Sequence, residues 1–137
     1  MGLSAHIILH SIAVILLLFN GVGALYGGWQ LVTDPTGGSM QMPLTYLQHS
    51  PFTNYLIPGI VLLLANGVGS FVVLGLIMFT NRCYSLAIVA EGFILGGWIT
   101  IQMLMLRTAN PLQLFYFATA LLLVVTGTAL WRVKQVK

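Results

Sequence analysis

The residue best suited to chemistry in this sequence is a carboxylate inside a long apolar segment. Glu91 is the only acidic residue inside any such segment, and Trp98 and Gln102 follow it at helical spacing. An ionised carboxylate at this depth in a bilayer costs about 2–3 kcal/mol, so it must be paired, hydrated or protonated. The pattern therefore allows a proton, cation or amine site lined by Glu91, Trp98 and Gln102. It also allows a purely structural role, in which Glu91 is protonated and hydrogen bonded to a neighbouring helix, or extends to the membrane interface.

Two asparagines lie near the expected bilayer centre, in two different apolar segments. Asn20 and Asn66 each carry a carboxamide that would lose its hydrogen bonds if it faced lipid. Both should therefore point into the protein, and one arrangement pairs them with each other. Polar side chains of this kind commonly join transmembrane helices. We expect helix association at these residues, with a ligand site as the alternative.

The connection between the first two apolar segments carries the candidates for chemistry at the membrane surface, Asp34 and His49. Elsewhere, His6 and His10 stand one turn apart without a third ligand nearby in sequence, and Cys83 is the only cysteine. The common hydrolase, metalloprotease and phosphate-binding motifs do not occur. We therefore predict no metal site, no cofactor and no catalytic residue.

The composition places these residues in a membrane. Of the 137 residues, 58% are hydrophobic and 5% are charged, whereas a soluble domain carries about 25% charged residues. Four apolar segments, residues 7–32, 55–79, 84–106 and 112–131, each approach or exceed the length of about 20 residues that crosses a bilayer. Short turns between the later segments predict one all-α domain, an up-down-up-down four-helix bundle. Residues 33–54 form an outer connection with a short interfacial helix that begins at Pro43.

Basic residues set the expected orientation. Arg82, Arg132, Lys134 and Lys137 would lie on one side of the membrane and Arg107 on the other. The positive-inside rule then predicts a multi-pass protein of the bacterial cytoplasmic membrane, with both termini in the cytoplasm. The first segment resembles a secretory signal core, but no basic residue precedes it, so we expect it to be retained as a span.

Glycines four residues apart mark two helix faces that can approach a neighbour closely. Gly23 and Gly27 form one pair, and Gly92 and Gly96 form the other. Small residues at this spacing let two helix backbones come into contact. The same pairs belong to a faint repeat, G-A-L-Y-G-G-W at residues 23–29 and G-F-I-L-G-G-W at residues 92–98, which would indicate a parallel duplication. We predict that these four glycines are helix-packing residues.

Four short motifs occur in the first half of the chain: D-P-T-G at residues 34–37, H-S-P-F at 49–52, L-I-P-G at 56–59 and N-G at 66–67. Together they resemble a family of small, uncharacterised bacterial proteins with four transmembrane helices. The likeness covers the first two spans and their connection, and continues in the last two spans through Gly97, Trp98 and Gln102. It implies the four-span topology but no activity. Gln48 stands where that family usually has an acidic residue, so a carboxylate–histidine pair with His49 is missing.

These features favour a non-enzymatic membrane protein. We expect an accessory or assembly subunit of a larger membrane complex, or a homo-oligomer, in contact with lipid and with other membrane subunits. The alternative is a carrier or binder of a lipophilic or cationic small molecule centred on Glu91, and a second alternative is a membrane enzyme at the outer interface. The net charge of +3 is small and concentrated at the C-terminus, so we expect no nucleic-acid partner.

Overall fold

The computed structural model describes residues 3–79, 83–107 and 111–136. In these ranges the chain forms α1 (Leu3–Thr33), α2 (Leu56–Val61), a π-helical segment (Leu62–Val68), α3 (Gly69–Met78), α4 (Tyr84–Leu106) and α5 (Pro111–Val136). Four helical stretches are long and apolar enough to cross a membrane, and the described ranges contain no strand. The predicted all-α, four-helix membrane bundle is confirmed. The first span is α1, the second runs from α2 through α3, and the third and fourth are α4 and α5.

The ends of the spans lie close to those expected from hydropathy. The second and third spans, Leu56–Met78 and Tyr84–Leu106, compare with the predicted residues 55–79 and 84–106. The first and fourth helices extend past residues 7–32 and 112–131, because helical hydrogen bonding continues beyond the apolar residues into the polar flanks. The short turns expected between the later spans, residues 80–83 and 107–111, fall largely outside the described residues, since residues 80–82, with Arg82, and 108–110 are not described.

The four spans pack in a ring that follows the order of the chain. Each span packs against the next one, and the fourth returns to pack against the first. The first and third spans therefore stand across the ring from each other, as do the second and fourth. We call the end of the bundle that carries residues 34–55 the outer end, and the opposite end the inner end.

Apolar side chains fill the inner half of this ring. Ala13 and Leu17 of the first span, Ile88 of the third, and Leu123 and Leu130 of the fourth are fully buried in one core cluster. Close packing of this kind leaves little unfilled space between helices. A space large enough for a small molecule therefore has to lie further towards the outer end.

Two of the four predicted packing glycines lie between the third and fourth spans. A Cβ atom added at Gly92 would lie 2.8 Å from Val124 Cγ2 and 3.0 Å from the carbonyl oxygen of Ala120. One turn away, a Cβ atom at Gly96 would keep an ordinary contact of 3.5 Å to Ala120 Cβ. Gly92 is therefore required for this close approach, whereas Gly96 has room for a methyl group.

The other predicted pair lies on the first span. A Cβ atom at Gly23 would lie 2.6 Å from the hydroxyl oxygen of Tyr116, and one at Gly27 would keep 3.5 Å from its nearest side chain. The second span comes close to the backbone of the first span at Gly28, where a Cβ atom would lie 2.8 Å from the backbone nitrogen of Leu63. Sequence spacing does not indicate Gly28, because no glycine stands four residues before or after it.

The connection at the outer end is held by specific hydrogen bonds. The carboxylate of Asp34, directly after α1, accepts hydrogen bonds from the Thr36 hydroxyl and from the backbone N–H of Ser39. Gly37 has a φ of 78°, which a residue with a Cβ atom rarely adopts. The Tyr55 side chain packs against Gly37, so the two ends of the connection are joined.

The predicted interfacial helix is a short 3₁₀ helix, Leu44–Leu47. Pro43 precedes it with extended backbone (φ −71°, ψ 152°) instead of being its first helical residue. The Tyr55 hydroxyl donates a hydrogen bond of 2.8 Å to the Pro43 carbonyl oxygen. Leu47 is buried, and the connection therefore lies against the bundle.

Candidate functional site

Three spans are joined near the middle of the bundle by a chain of buried hydrogen bonds. Asn20 Nδ2 of the first span donates to Ser70 Oγ of the second over 2.8 Å. Ser70 Oγ donates in turn to Glu91 Oε1 of the third span over 3.2 Å. All three residues are buried, with Glu91 only 2% exposed. We call these three residues the polar relay.

A glycine makes room for the carboxylate at the end of the relay. A Cβ atom added at Gly69 would lie 2.9 Å from Glu91 Oε2, so a side chain there would displace the carboxyl group. Gly69 and Ser70 open α3, directly after the π-helical segment. The second span therefore meets Glu91 with one residue that leaves space and one that donates a hydrogen bond.

Glu91 has no charged partner among the described residues. Its one hydrogen bond within these ranges is the bond from Ser70, and no described Lys, Arg or His side chain forms an ion pair with it. Arg82, the nearest basic residue in sequence, lies outside the described residues. An ionised carboxylate can only accept hydrogen bonds, whereas a protonated one also donates. The chemistry of the relay therefore depends on whether Glu91 carries a proton.

Asn66 is the second unusual polar residue of the second span. It lies in the π-helical segment and is fully buried, and neither Oδ1 nor Nδ2 has a hydrogen-bond partner among the described residues. The suggested pairing of Asn66 with Asn20 does not occur, because the Asn20 amide donates to Ser70 instead. A π-helical turn inside an α-helix is frequently found at a functional site.

A cavity of about 360 Å³ occupies the outer half of the bundle, lined mainly by the first, third and fourth spans. Met42 and Tyr46 of the outer connection line its outer end, and Asn20 is its innermost residue on the first span. The walls are mainly apolar and include Ala24, Leu31, Leu62, Leu95, Ile99 and Leu106. The cavity therefore begins beneath the connection and ends at the first residue of the polar relay.

A few polar and aromatic groups interrupt these apolar walls. Gln113 Nε2 of the fourth span donates to Gln102 Oε1 of the third over 3.3 Å. Trp98 and Tyr116 also line the cavity, and the Tyr116 hydroxyl lies against the backbone at Gly23. Apolar walls with a small number of positioned polar groups are typical of sites for small molecules.

The structure separates residues that the sequence places in one site. Glu91 does not line the cavity, whereas Trp98 and Gln102 do, because these residues stand two and three helical turns along α4 from Glu91. Asn20 belongs to both groups, since it lines the cavity and donates to Ser70. The sequence patterns do not indicate Ser70, Gln113 or Tyr116 as site residues.

The two candidates at the outer interface serve separate local structures. The hydrogen bond from the Thr36 hydroxyl, followed by that from the Ser39 N–H, lowers the pKa of Asp34 below its usual value. His49 is exposed, and its Nε2 lies 3.3 Å from Nε2 of the adjacent Gln48. No hydrogen bond joins Asp34 to His49 within the described part of the chain. The structure therefore does not bring them together as an acid–base pair.

Two histidines and a tyrosine meet at the inner end. His6 Nε2 lies 3.3 Å from the Tyr84 hydroxyl, and the His10 ring meets the Tyr84 ring edge-on. The His6 and His10 rings stack at 5.7 Å. No group of three His, Cys, Asp or Glu side chains that could hold a metal ion occurs in the described ranges.

No protein-family model, no curated protein and no solved structure matches this chain. The likeness to small bacterial four-span proteins therefore stays a prediction from the motifs alone.

Proposed function

We propose that the protein binds a small lipophilic molecule with a polar head, in the cavity of the outer half of the bundle. The observation that carries this proposal is the cavity itself, about 360 Å³ with mainly apolar walls. Its size lies within the range of about 300–1,000 Å³ that is typical of small-molecule sites. The apolar walls would hold the body of the ligand, and the polar groups would hold its head.

The polar groups support an orientation for this ligand. Asn20 lies at the innermost part of the cavity, while the Gln102–Gln113 pair joins the third and fourth spans. Trp98 and Tyr116 supply aromatic surface between them. A ligand whose polar head points towards Asn20 would place that head beside the polar relay, and the rest of the molecule would extend towards Met42 and Tyr46.

Two variants of one cavity residue test this proposal. A Cβ atom at Gly27 would keep 3.5 Å to its nearest neighbour, so Gly27→Ala should leave both fold and cavity intact. Gly27→Phe should place a ring in the cavity. Native mass spectrometry after purification in mild detergent should find a small molecule retained by wild type and by Gly27→Ala, but lost from Gly27→Phe. Identical retained molecules in all three proteins would contradict the proposal.

Association with other membrane subunits, or with a second copy, is the second candidate function. Gly97 on α4 is exposed, and a Cβ atom there would meet no atom within 4 Å. A small residue on an outward helix face supports close approach by another transmembrane helix. Gly97→Leu should then weaken association measured by crosslinking in the membrane. Gly75 also has no atom within 4 Å of its Cβ position but is half-buried, so Gly75→Leu is the control and should leave association unchanged.

The location and orientation belong to the same proposal. We place the protein in the bacterial cytoplasmic membrane with both termini in the cytoplasm, because most basic residues of the sequence would then face the cytoplasm. In this orientation the outer connection and the mouth of the cavity lie on the side of the membrane opposite the cytoplasm. A ligand would enter from that side or from the outer half of the lipid bilayer.

A further inference from the structure

We propose that the protonation state of Glu91 selects the ligand, by deciding whether the innermost part of the cavity offers a hydrogen-bond acceptor or a hydrogen-bond donor. This inference rests on the proposed function, since it concerns the ligand that the cavity holds. Its structural basis is the position of Asn20, which lines the cavity and is also hydrogen bonded to the rest of the relay.

With Glu91 ionised, the available hydroxyl and amide protons determine which residue donates and which accepts in each hydrogen bond of the relay. The carboxylate can only accept, so the single hydroxyl proton of Ser70 goes to Glu91. Ser70 Oγ can then only accept from Asn20, and the amide of Asn20 must turn its NH₂ group towards Ser70. This leaves Asn20 Oδ1, which makes no hydrogen bond with any described residue, as an acceptor for the ligand.

With Glu91 protonated, both hydrogen bonds of the relay reverse their donor and acceptor. The acid hydroxyl needs an acceptor in this apolar interior, and Ser70 Oγ is the described side-chain atom within hydrogen-bond distance. Glu91 then donates to Ser70, and Ser70 donates its own proton to the carbonyl oxygen of Asn20. The Asn20 amide turns over, because its two ends are nearly equal in shape, and presents Nδ2 to the cavity. One proton taken up at Glu91 therefore changes an acceptor into a donor at the ligand.

Glu91 is the one titratable group of the polar relay, whose other members are Asn20 and Ser70. The relay reaches Glu91 from the second span through Ser70, and from the first span through Asn20. The fourth span meets the adjacent Gly92 with Ala120 and Val124, which carry no titratable group. Other titratable side chains on the surrounding spans make no hydrogen bond or ion pair with Glu91 in the described ranges, among them His6, His10, Tyr116 and Arg132.

A matched pair of neutral probes can show whether Asn20 offers the cavity a hydrogen-bond acceptor or a hydrogen-bond donor. An alkylindole offers a single N–H donor, and an alkylindanone of similar size offers a single ketone acceptor, so neither changes its own protonation with pH. Their affinities for the protein in detergent would be measured by titration calorimetry from acidic to alkaline pH. Gly27→Phe, which fills the cavity, would give the background from partition into micelles.

We expect wild type to prefer the indole at alkaline pH and the indanone at acidic pH, by about tenfold each way, the size expected of one buried hydrogen bond. Glu91→Gln should bind both probes with a preference that does not change with pH. Ser70→Ala should bind both without a preference, because Asn20 is no longer oriented. Ser85→Ala removes another buried serine of the bundle, outside the relay, and should keep the reversal.

The possible failures are distinguishable. If wild type binds both probes above the Gly27→Phe background but keeps one preference at every pH, the relay inference is wrong while cavity binding stands. The same conclusion follows if Ser70→Ala or Glu91→Gln retains the reversal. If neither probe binds wild type above that background, both the inference and the proposed function fall.

Discussion

The Ser70 hydroxyl donates a hydrogen bond of 3.2 Å to Glu91 Oε1, which connects the second span to the third inside an apolar bundle. Ser70 also accepts from Asn20, so one small side chain satisfies two larger polar groups. Lipid offers no substitute partner for either group. Replacement of Ser70 should therefore lower the stability of the bundle by more than the loss of so small a side chain would by itself.

Ser70→Ala should destabilise the protein more than the loss of one hydrogen bond would. The substitution leaves Asn20 Nδ2 and Glu91 Oε1 without their partner, and an unsatisfied buried polar group costs about 1–3 kcal/mol. Thermal unfolding in detergent measures the effect. Ser85→Ala is the control, since Ser85 Oγ is buried without a partner in the described ranges, and it should be neutral or stabilising. Equal midpoints for the two variants would contradict the structural role of Ser70.

Gly92→Ala and Gly96→Ala should differ although they lie one turn apart on the same helix. The new methyl group at Gly92 would lie 2.8 Å from Val124 Cγ2, whereas the one at Gly96 would keep 3.5 Å from Ala120 Cβ. Overpacking of this kind costs about 1–3 kcal/mol, while Gly→Ala in a helix with free space gains about 0.5–1 kcal/mol. We expect a lower unfolding midpoint for Gly92→Ala and an unchanged or higher one for Gly96→Ala. The reverse order would show that the third and fourth spans pack differently.

Hydropathy predicts the four helices because the thickness of a bilayer fixes the length of a span. It carries little information about how each helix is rotated in the bundle, because a helix that is apolar all round has no distinct inward face. The pairing of Ser70 with Glu91 depends on that rotation, and so does the contact at Gly28. The sequence could therefore indicate Glu91 and Asn20 as inward-facing residues, but not the serine that joins them.

The cavity is also beyond what a linear sequence indicates. Trp98 and Gln102 follow Glu91 at helical spacing, and the structure places all three on α4. Their separation into a cavity and a relay depends on the distance between four helices and on the outer connection that covers the cavity. The residue types of the π-helical segment Leu62–Val68 do not predict a π-helix either, because they are ordinary apolar residues apart from Asn66 and Gly67.

Gly37→Ala should loosen the outer connection, and Gly38→Ala should not. Gly37 has a φ of 78°, and a Cβ atom there would collide with the Met42 carbonyl oxygen and the Tyr55 ring. Gly38 has no such φ, and its nearest atom would be Asp34 Oδ2 at 3.2 Å, the end of a half-buried side chain that needs to move only slightly. Because Met42 lines the cavity, we expect Gly37→Ala to speed the release of a bound alkylindole. Stopped-flow dissociation rates would measure this, and equal rates for the two variants would argue against a covering role.

Both termini should lie in the cytoplasm, on the same side of the membrane. Four spans return the chain to its starting side, and the distribution of basic residues assigns that side. Alkaline phosphatase fused after Lys137 should be inactive, and green fluorescent protein at the same position should be fluorescent. Phosphatase inserted at Ser39 in the outer connection serves as the control and should be active. Active phosphatase at Lys137 would reverse the orientation, and would place the mouth of the cavity on the cytoplasmic side.

Asn66→Leu tests whether the side-chain amide of Asn66, in the π-helical segment, contributes to ligand binding. Both side-chain polar atoms of Asn66 are buried without a partner in the described ranges. Leucine has a similar shape and no polar atom, so the substitution should raise the free energy of unfolding by about 1–3 kcal/mol.

A residue that lowers stability is retained where it contributes to activity. Asn66 lies one turn from Leu62 of the cavity wall and one turn from Ser70 of the relay. We therefore expect Asn66→Leu to be more stable in thermal unfolding, and to bind the alkylindole and alkylindanone probes more weakly than wild type in calorimetry. Asn66→Asp would serve as the polar control, with stability no higher than that of wild type. A variant with leucine that is more stable and binds both probes unchanged would show that Asn66 takes no part in the site. A leucine variant that is less stable would show instead that the amide has a structural partner, and that the π-helical segment depends on it.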